Sequence, residues 1–326
     1  MQRFGQLALS GLLLLGCSGE DTTAGFGQPL RVKDGQFRSG DLPGLPPLTA
    51  DDINAGAKAT PPSIESVSIG INVVAEDEPS RSIRGNASSD SAAVGVRFAE
   101  LGDGYWLVPT SSVDPLATAV VDWSLNAAFD RGLSPGLHKL LFAAIDEHGT
   151  SGTQGEANLC VTSSLPDNGN ACDPSTSPPN LVIQLAWDAP VDLDLRVVTP
   201  SGKVVDSKHP TTVDADENGK VDPTAEGAGF IDHDAFAHCQ PLGRRAENLV
   251  FQGKPLPGTY LIYANLYDAC GQPDVHFDVS LHVAQPGDEE GTFQQTQTFH
   301  QAGQLEAVHA NGGAKLGMFL TSFVAH

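Results

Sequence analysis

The chain has 326 residues, with 40 acidic against 18 basic side chains and a net charge of −22. That length suggests about two domains. Charge of that sign repels phosphate backbones and anionic lipid surfaces, which argues against nucleic acid as a partner and leaves divalent cations as company for the surplus carboxylates. In chain order, Arg3 precedes a short apolar run from Leu7 to Leu15. The run is too short to cross a bilayer as a helix and reads as an export signal, and no later stretch is long and apolar enough to span. Residues 18–60 read as a flexible tether, because Gly40-Asp41-Leu42-Pro43-Gly44-Leu45-Pro46-Pro47 carries breakers and no apolar period. From 61 to 163 the pattern changes. Val67, Ile69, Ile71 and Val73 alternate with small polar residues, as do Val94, Val96 and Phe98, and Ala119–Leu125 and Leu137–Ile145 are two further apolar stretches. Short strands at this spacing, separated by turn residues, predict a sandwich. Residues 164–180 are rich in Ser, Pro, Asn and Asp and form a second linker. From 181 to 326, strands are predicted at Leu181–Trp187, Val191–Val198, Leu249–Phe251, Pro257–Ala264, Val275–Val283 and Gly317–Val324. No segment of useful length shows helical periodicity with caps. The fold class expected is all-β: two immunoglobulin-like or jelly-roll-like β-sandwich domains in tandem after a disordered tether.

Leu14-Leu15-Gly16-Cys17 resembles the lipobox of bacterial lipoproteins. The resemblance implies residues 1–17 as a signal ending at a lipidated Cys17, with cleavage before that cysteine, a diacylglycerol on its sulfur and a further acyl chain, such as palmitate, on its amine. Anchoring by two or more chains is firm, since each buried CH₂ contributes roughly 0.8 kcal/mol. Ser18 stands where an aspartate would retain the protein at the inner membrane, so the implied destination is the outer membrane. Four cysteines then remain, Cys160, Cys172, Cys239 and Cys270. An even number in an oxidising compartment predicts two disulfides with three possible connectivities. The sequence-neighbour pairs, Cys160 with Cys172 and Cys239 with Cys270, are favoured because each lies at or inside one predicted domain. None sits in a CxxC pair, which argues against metal thiolates.

Two acidic patterns invite a cation, with calcium as the expected ion. Asp214, Asp216, Asn218, Lys220 and Asp222 place oxygens at positions one, three, five, seven (a backbone carbonyl) and nine of a loop, with Gly219 at six. This is the spacing of a calcium loop. It departs from an EF-hand at position twelve, which is Ala225, with Glu226 one place late, and no helices flank it. Asp192-Leu193-Asp194-Leu195-Arg196-Val197 puts Asp192, Asp194 and Arg196 on one face of a strand and the apolar residues on the other. Arg196 offers these carboxylates a surface ion pair of little worth, and a cation would offset them better. Asp232, Asp234 and Glu247, near strand ends, are further candidate ligands.

Trp187-Asp188, then Val191-Asp192-Leu193-Asp194-Leu195-Arg196-Val197, then Thr199-Pro200-Ser201-Gly202, resembles the opening of YfaP-like bacterial domains. Gly229-Phe230-Ile231-Asp232-His233-Asp234, Cys239, Glu247-Asn248-Leu249 and Pro257-Gly258-Thr259-Tyr260 follow that family's order, so the likeness runs from Leu181 to Val283. It departs at Arg196, where the family has His, and in the acidic loop around Asp214. Pro135–Asp146 with Gly149 is similar to the late strands of bacterial immunoglobulin-like modules. The YfaP-like resemblance implies a small exported sandwich and no established activity. Catalysis has little support: His233 and His238 lack the spacing of a helical zinc protease, and there is no nucleophile elbow. The function expected is a non-catalytic envelope lipoprotein acting in adhesion, assembly or ligand display, with envelope proteins or surface glycans as partners. The alternatives are a carbohydrate-binding module, for which Tyr105, Trp106 and Trp123 would supply a platform, and a hydrolase with an unrecognised site.

Overall fold

A computed structural model describes residues 25–75, 80–112, 119–130, 133–162, 165–240 and 244–326. The export signal and Cys17 lie outside these residues. The described residues form an all-β fold of several sheets. Among them, no helix is long and apolar enough to cross a membrane.

Among the described residues, ten strands precede residue 163: β1 (Leu30–Lys33), β2 (Gln36–Ser39), β3 (Ile64–Ile69), β4 (Val73–Ala75), β5 (Arg81–Ser88), β6 (Ala93–Phe98), β7 (Gly104–Pro109), β8 (Val120–Phe129), β9 (Gly136–Ile145) and β10 (Gly155–Thr162). They make one sheet in the order β1-β8-β5-β3 and another in the order β2-β7-β6-β9-β10-β4. In β8 the alternation VVDWSLNAAF buries Val121, Trp123, Leu125, Ala127 and Phe129, one face of a period-two strand. The stretch read as a tether is ordered from residue 25 onward and contributes β1 and β2. The apolar signal of β1 is only Leu30 and Val32, both buried, two positions apart. β2 gains its place by pairing with β7, Phe37 opposite Trp106. A five-residue helix, Ala50–Asn54, follows, opened by a capping box between Thr49 and Asp52.

Nine strands follow: β11 (Leu181–Trp187), β12 (Asp192–Val198), β13 (Val204–Val205), β14 (Gly229–Ile231), β15 (Ala246–Phe251), β16 (Gly258–Asp268), β17 (Asp274–Pro286), β18 (Phe293–Glu306) and β19 (Met318–Ala325). Their sheets run β14-β15-β11-β17-β18 and β13-β12-β16-β19. One core joins them. Ile183, Leu185, Leu193, Leu195, Phe251, Tyr260 and Phe277 are all buried in it. Tyr260 stacks on Phe323 and meets Phe251 edge-on, so a single large ring touches both walls.

By compactness the chain divides into two units. One is drawn from the stretches ending at Val67, Arg84–Ala127 and Leu141–Gly155, the other from Ser68–Ile83, Ala128–Leu140 and Glu156–His326. Both disulfides fall in the second. Cys160 is bonded to Cys172 and Cys239 to Cys270. The predicted linker is held as well. Asp167 accepts from the N–H groups of Gly169 and Ala171, and Phe293 at the start of β18 donates to the Pro174 carbonyl.

Candidate cation site at the edge of strand β12

β12 reads Asp-Leu-Asp-Leu-Arg-Val-Val, and the structure buries six of its seven residues. Leu193, Leu195 and Val197 enter the core. Asp192, Asp194 and Arg196 point to the opposite face, where the sequence predicts solvent. There they are 3%, 5% and 6% exposed. Two segments cover them. The stretch 232–239 crosses the start of the strand, and the His238 N–H donates to Asp192 Oδ2 at 2.7 Å. The loop 311–315 lies over its end, and Arg196 Nη1 donates to the Lys315 carbonyl at 2.6 Å. The first cover is pinned by the Cys239–Cys270 disulfide and carries three non-glycine residues with left-handed backbone, Phe236, His238 and Cys239.

The local edge explains the rest. β13 pairs with β12 only at Val197 and Val198. Nearer the start of β12, that edge has no neighbouring strand among the described residues, and Glu247 of the facing sheet takes over. Its Oε2 accepts the Leu195 N–H at 2.8 Å and its Oε1 the Ala235 N–H at 3.1 Å. Glu247 is fully buried. Burial, and then the Asp194 charge, push its carboxyl well above the usual range.

Asp192, Asp194 and Asp234 each offer a carboxylate oxygen within 4.8 Å of the others. Unit charges that close repel by about 3 kcal/mol per pair at an effective dielectric of 20. Burial raises the Asp192 pKa. Burial and the neighbouring Asp192 raise that of Asp194 to about 6, against the pull of Arg196. Arg196 is shared: its Nη2 is 3.4 Å from Asp194 and its Nε 3.8 Å from Asp206, and that Nε has no hydrogen-bond acceptor. Asn265 lies directly opposite Asp194 on β16, which puts both side chains on one sheet face. Its Nδ2 donates to Asn311 Oδ1 and the Lys315 carbonyl, while its Oδ1 is buried without a partner among the described residues. An orphaned buried acceptor beside crowded carboxylates is what a hard cation would satisfy. The donor set is all oxygen, the preference of calcium and magnesium.

The other expected ligands are placed elsewhere. Asp232 accepts from the Asn248 N–H and Nδ2 and pairs with His233 Nδ1 at 2.9 Å. Burial acts to raise its pKa, but these hydrogen bonds outweigh it and hold it below the usual range. Among the described residues, the carboxylates of the calcium-loop pattern each hold a partner of their own. Asp214 pairs with Lys203 Nζ. Asp216 Oδ1 accepts from the N–H groups of Asn218 and Lys220, and Asp222 Oδ1 accepts from the N–H and hydroxyl of Thr224. Asn218 and Lys220 are exposed. The spacing reads like a calcium loop because Asx turns use the same residues, and Asp216 and Asp222 each close a turn of their own. A second convergent group, Cys239, Asp268 and Cys270, has its sulfurs in a disulfide and offers no thiolate.

Asp206, Asn265 and the 311–315 loop carry no sequence motif. Asn265 alone leaves a trace, as an amide inside the apolar run of β16. Trp123 is core, and half-buried Trp106 donates its Nε1–H to the Leu30 carbonyl. Neither ring is a free platform. Ser280 Oγ and His282 Nε2 are 2.9 Å apart, but Ser280 is buried, and among the described residues no carboxylate accepts from that imidazole.

No protein-family model matches the chain, and no curated protein matches it. Among solved structures, the C-terminal domain of the AgI/II polypeptide BspA of Streptococcus agalactiae overlaps it at 9% identity, covering 72% of this chain and 95% of that one, with a TM-score of 0.22. A structure of the manganese lipoxygenase of Gaeumannomyces graminis with part of the zonadhesin of Komagataella pastoris overlaps at 11% identity, 76% and 95% coverage and a TM-score of 0.18. Overlap at this level does not equate the folds.

Proposed function

We propose that this chain is a non-catalytic bacterial envelope lipoprotein, anchored in the outer membrane through Cys17, whose YfaP-like C-terminal sandwich is stabilised by calcium. Its role is adhesion, assembly or ligand display, and the ion stiffens the surface that does the displaying. The observation that carries the reading is the convergence of Asp192, Asp194 and Asp234, two of them buried, beside the unpartnered Asn265 oxygen. Arg196 is the one cation hydrogen-bonded to this group among the described residues. It does not balance three carboxylates, and a divalent ion would. Waters would complete a shell of six to eight oxygens, and affinity in the range of extracellular modules, about 10⁻⁴ to 10⁻³ M, is expected.

Thermal unfolding with calcium and with chelator tests this. Calcium at a hundred times its dissociation constant adds about 2.7 kcal/mol of stability. Asp234→Asn, at the exposed member, removes that gain, and in chelator, where its repulsion of Asp192 and Asp194 is lost, it melts no lower than the parent. No shift in the parent chain at about 100 mM calcium, a hundred times the weakest expected dissociation constant, overturns the cation reading.

A further inference from the structure

We propose that the side of the second sandwich bounded by β18 and β19 is a self-association surface, and that its occupant is the same side of a second copy of this chain. β18 ends the five-stranded sheet and β19 ends the four-stranded sheet. Both edges are therefore open ladders of N–H and C=O groups, which native proteins normally blunt with lysine, proline or charge. Here they are not blunted that way. The thirteen residues from Phe293 to Leu305 include no Asp, Glu, Lys, Arg or Pro, and neither do the eight of β19.

Only part of β18 is occupied or distorted. Its first residues are held by the segment after residue 165, through the Phe293 N–H to the Pro174 carbonyl, the Phe293 carbonyl to Asn170 Nδ2, and Gln295 Nε2 to the Pro166 carbonyl. A bulge follows between Gln297 and Phe299. From Phe299 to Leu305 the strand is regular and pairs only with β17. On the edge strand of the other sheet, Met318, Phe319 and Val324 of β19 are exposed apolar residues. Between the two edges the core is incompletely closed: a cavity of about 330 Å³ is lined by Leu281, Val283, Thr298, Phe323 and Val324, among others.

Charge selects the occupant. A chain of net charge −22 repels its own copies over most of its surface, whereas Phe299–Leu305 and β19 carry no acid of their own, and Asp278 beside Ala302 is paired with His300 at 2.8 Å. An antiparallel strand edge is complementary to itself. A two-fold axis normal to the sheets would pair Phe299–Leu305 with the same residues of the partner and bring the two β19 edges side by side. Both sheets would then continue through the pair, and the exposed β19 side chains would close over the seam.

The test uses the full chain with Cys17→Ser, which removes the lipid and its own tendency to aggregate. Sedimentation velocity over a concentration series should show a monomer–dimer equilibrium. Gln301→Glu adds no volume and puts one carboxylate per copy into the seam. It should weaken association by at least about tenfold, a loss that salt relieves, with an unchanged melting curve at dilutions where parent and variant are both monomeric. Val324→Lys, exposed on β19, should weaken it independently. In the same background, Ala302→Cys should yield an oxidised dimer, and Asp288→Cys in the β17–β18 turn should not. A chain that stays monomeric throughout overturns the proposal. So does a dimer indifferent to both charge substitutions, or one cross-linked equally at both positions. Calcium dependence is a separate readout, so failure here leaves the cation reading standing and the reverse.

Discussion

Asp194→Asn separates crowding from ion binding because it should act in opposite directions with and without calcium. The carboxyl is buried and its pKa in the fold is raised from 3.8 to about 6. A raised folded-state value means the native state holds its proton more tightly than the unfolded chain. The group's contribution is then fully present below about pH 4, and it is lost as pH rises through about 6. At pH 8 the lost contribution is about 3 kcal/mol, from a shift of roughly two units at 1.36 kcal/mol each. Asparagine has the same shape and no charge, so in chelator at pH 8 it should recover up to about 3 kcal/mol, or roughly 6–12 °C for a unit of this size. The pull of Arg196 is already contained in that shift. In calcium the order reverses, since the variant lacks a ligand and gains nothing from the ion. The assay is urea unfolding of parent and variant at pH 4 and pH 8, each with calcium and with chelator. A variant less stable than the parent by more than about 1 kcal/mol at pH 8 in chelator would refute the reasoning, because the carboxylate would then be a net stabiliser through Arg196.

Three other perturbations probe the neighbouring contacts. Glu247→Ala leaves the buried N–H groups of Leu195 and Ala235 unpaired and should cost about 2–6 kcal/mol in urea unfolding, with faster hydrogen exchange at those two amides. Replacing Cys239 and Cys270 by serine opens a span of 31 residues against 12 for Cys160 and Cys172. By loop entropy the losses should be about 4 and about 3 kcal/mol, and calorimetry with and without calcium should show only the first pair of substitutions weakening the ion. Asp216→Ala and Asp222→Ala should leave the calcium titration unchanged, since both carboxylates serve local turns.

The sequence is most legible where one face of a strand is buried. β8, β11, β16 and β17 stand out because period-two apolar alternation is the burial pattern itself. β18 is silent for the converse reason. Its fourteen residues are mostly Gln, Thr and Gly, with only Leu305 buried, and its place is fixed by the β17 ladder and not by its own side chains. β1 and β2 fail similarly, being four residues each in a region of Gly and Pro. For the candidate site, the motif around Asp192 and Asp194 is readable, but its burial is not. Burial comes from residues more than forty positions downstream at 238 and more than a hundred at 315, and no local pattern reports a cover brought in by topology. The loop at Asp214 is ambiguous in sequence because turn chemistry and ion chemistry draw on the same short acids.

The position of the acids on β12 gives them a mechanical consequence. Where β13 stops pairing, the strand edge is closed by side chains: Glu247 reaches across from the facing sheet to the Leu195 N–H, and Asp192 receives the His238 N–H of the covering segment. Those contacts tie the two sheets and the disulfide-pinned segment to one strand end. Repulsion among Asp192, Asp194 and Asp234 acts on the same segment, because Asp234 lies two residues past Asp232 and four before His238. Without a cation, the cheapest relief is to swing Asp234 outward, which strains the His238 contact. With one, the carboxylates are drawn together and the cover is held down. Order in residues 232–239 should therefore follow ion occupancy more closely than order anywhere in the core, and amide exchange at His238 is the direct measure of it.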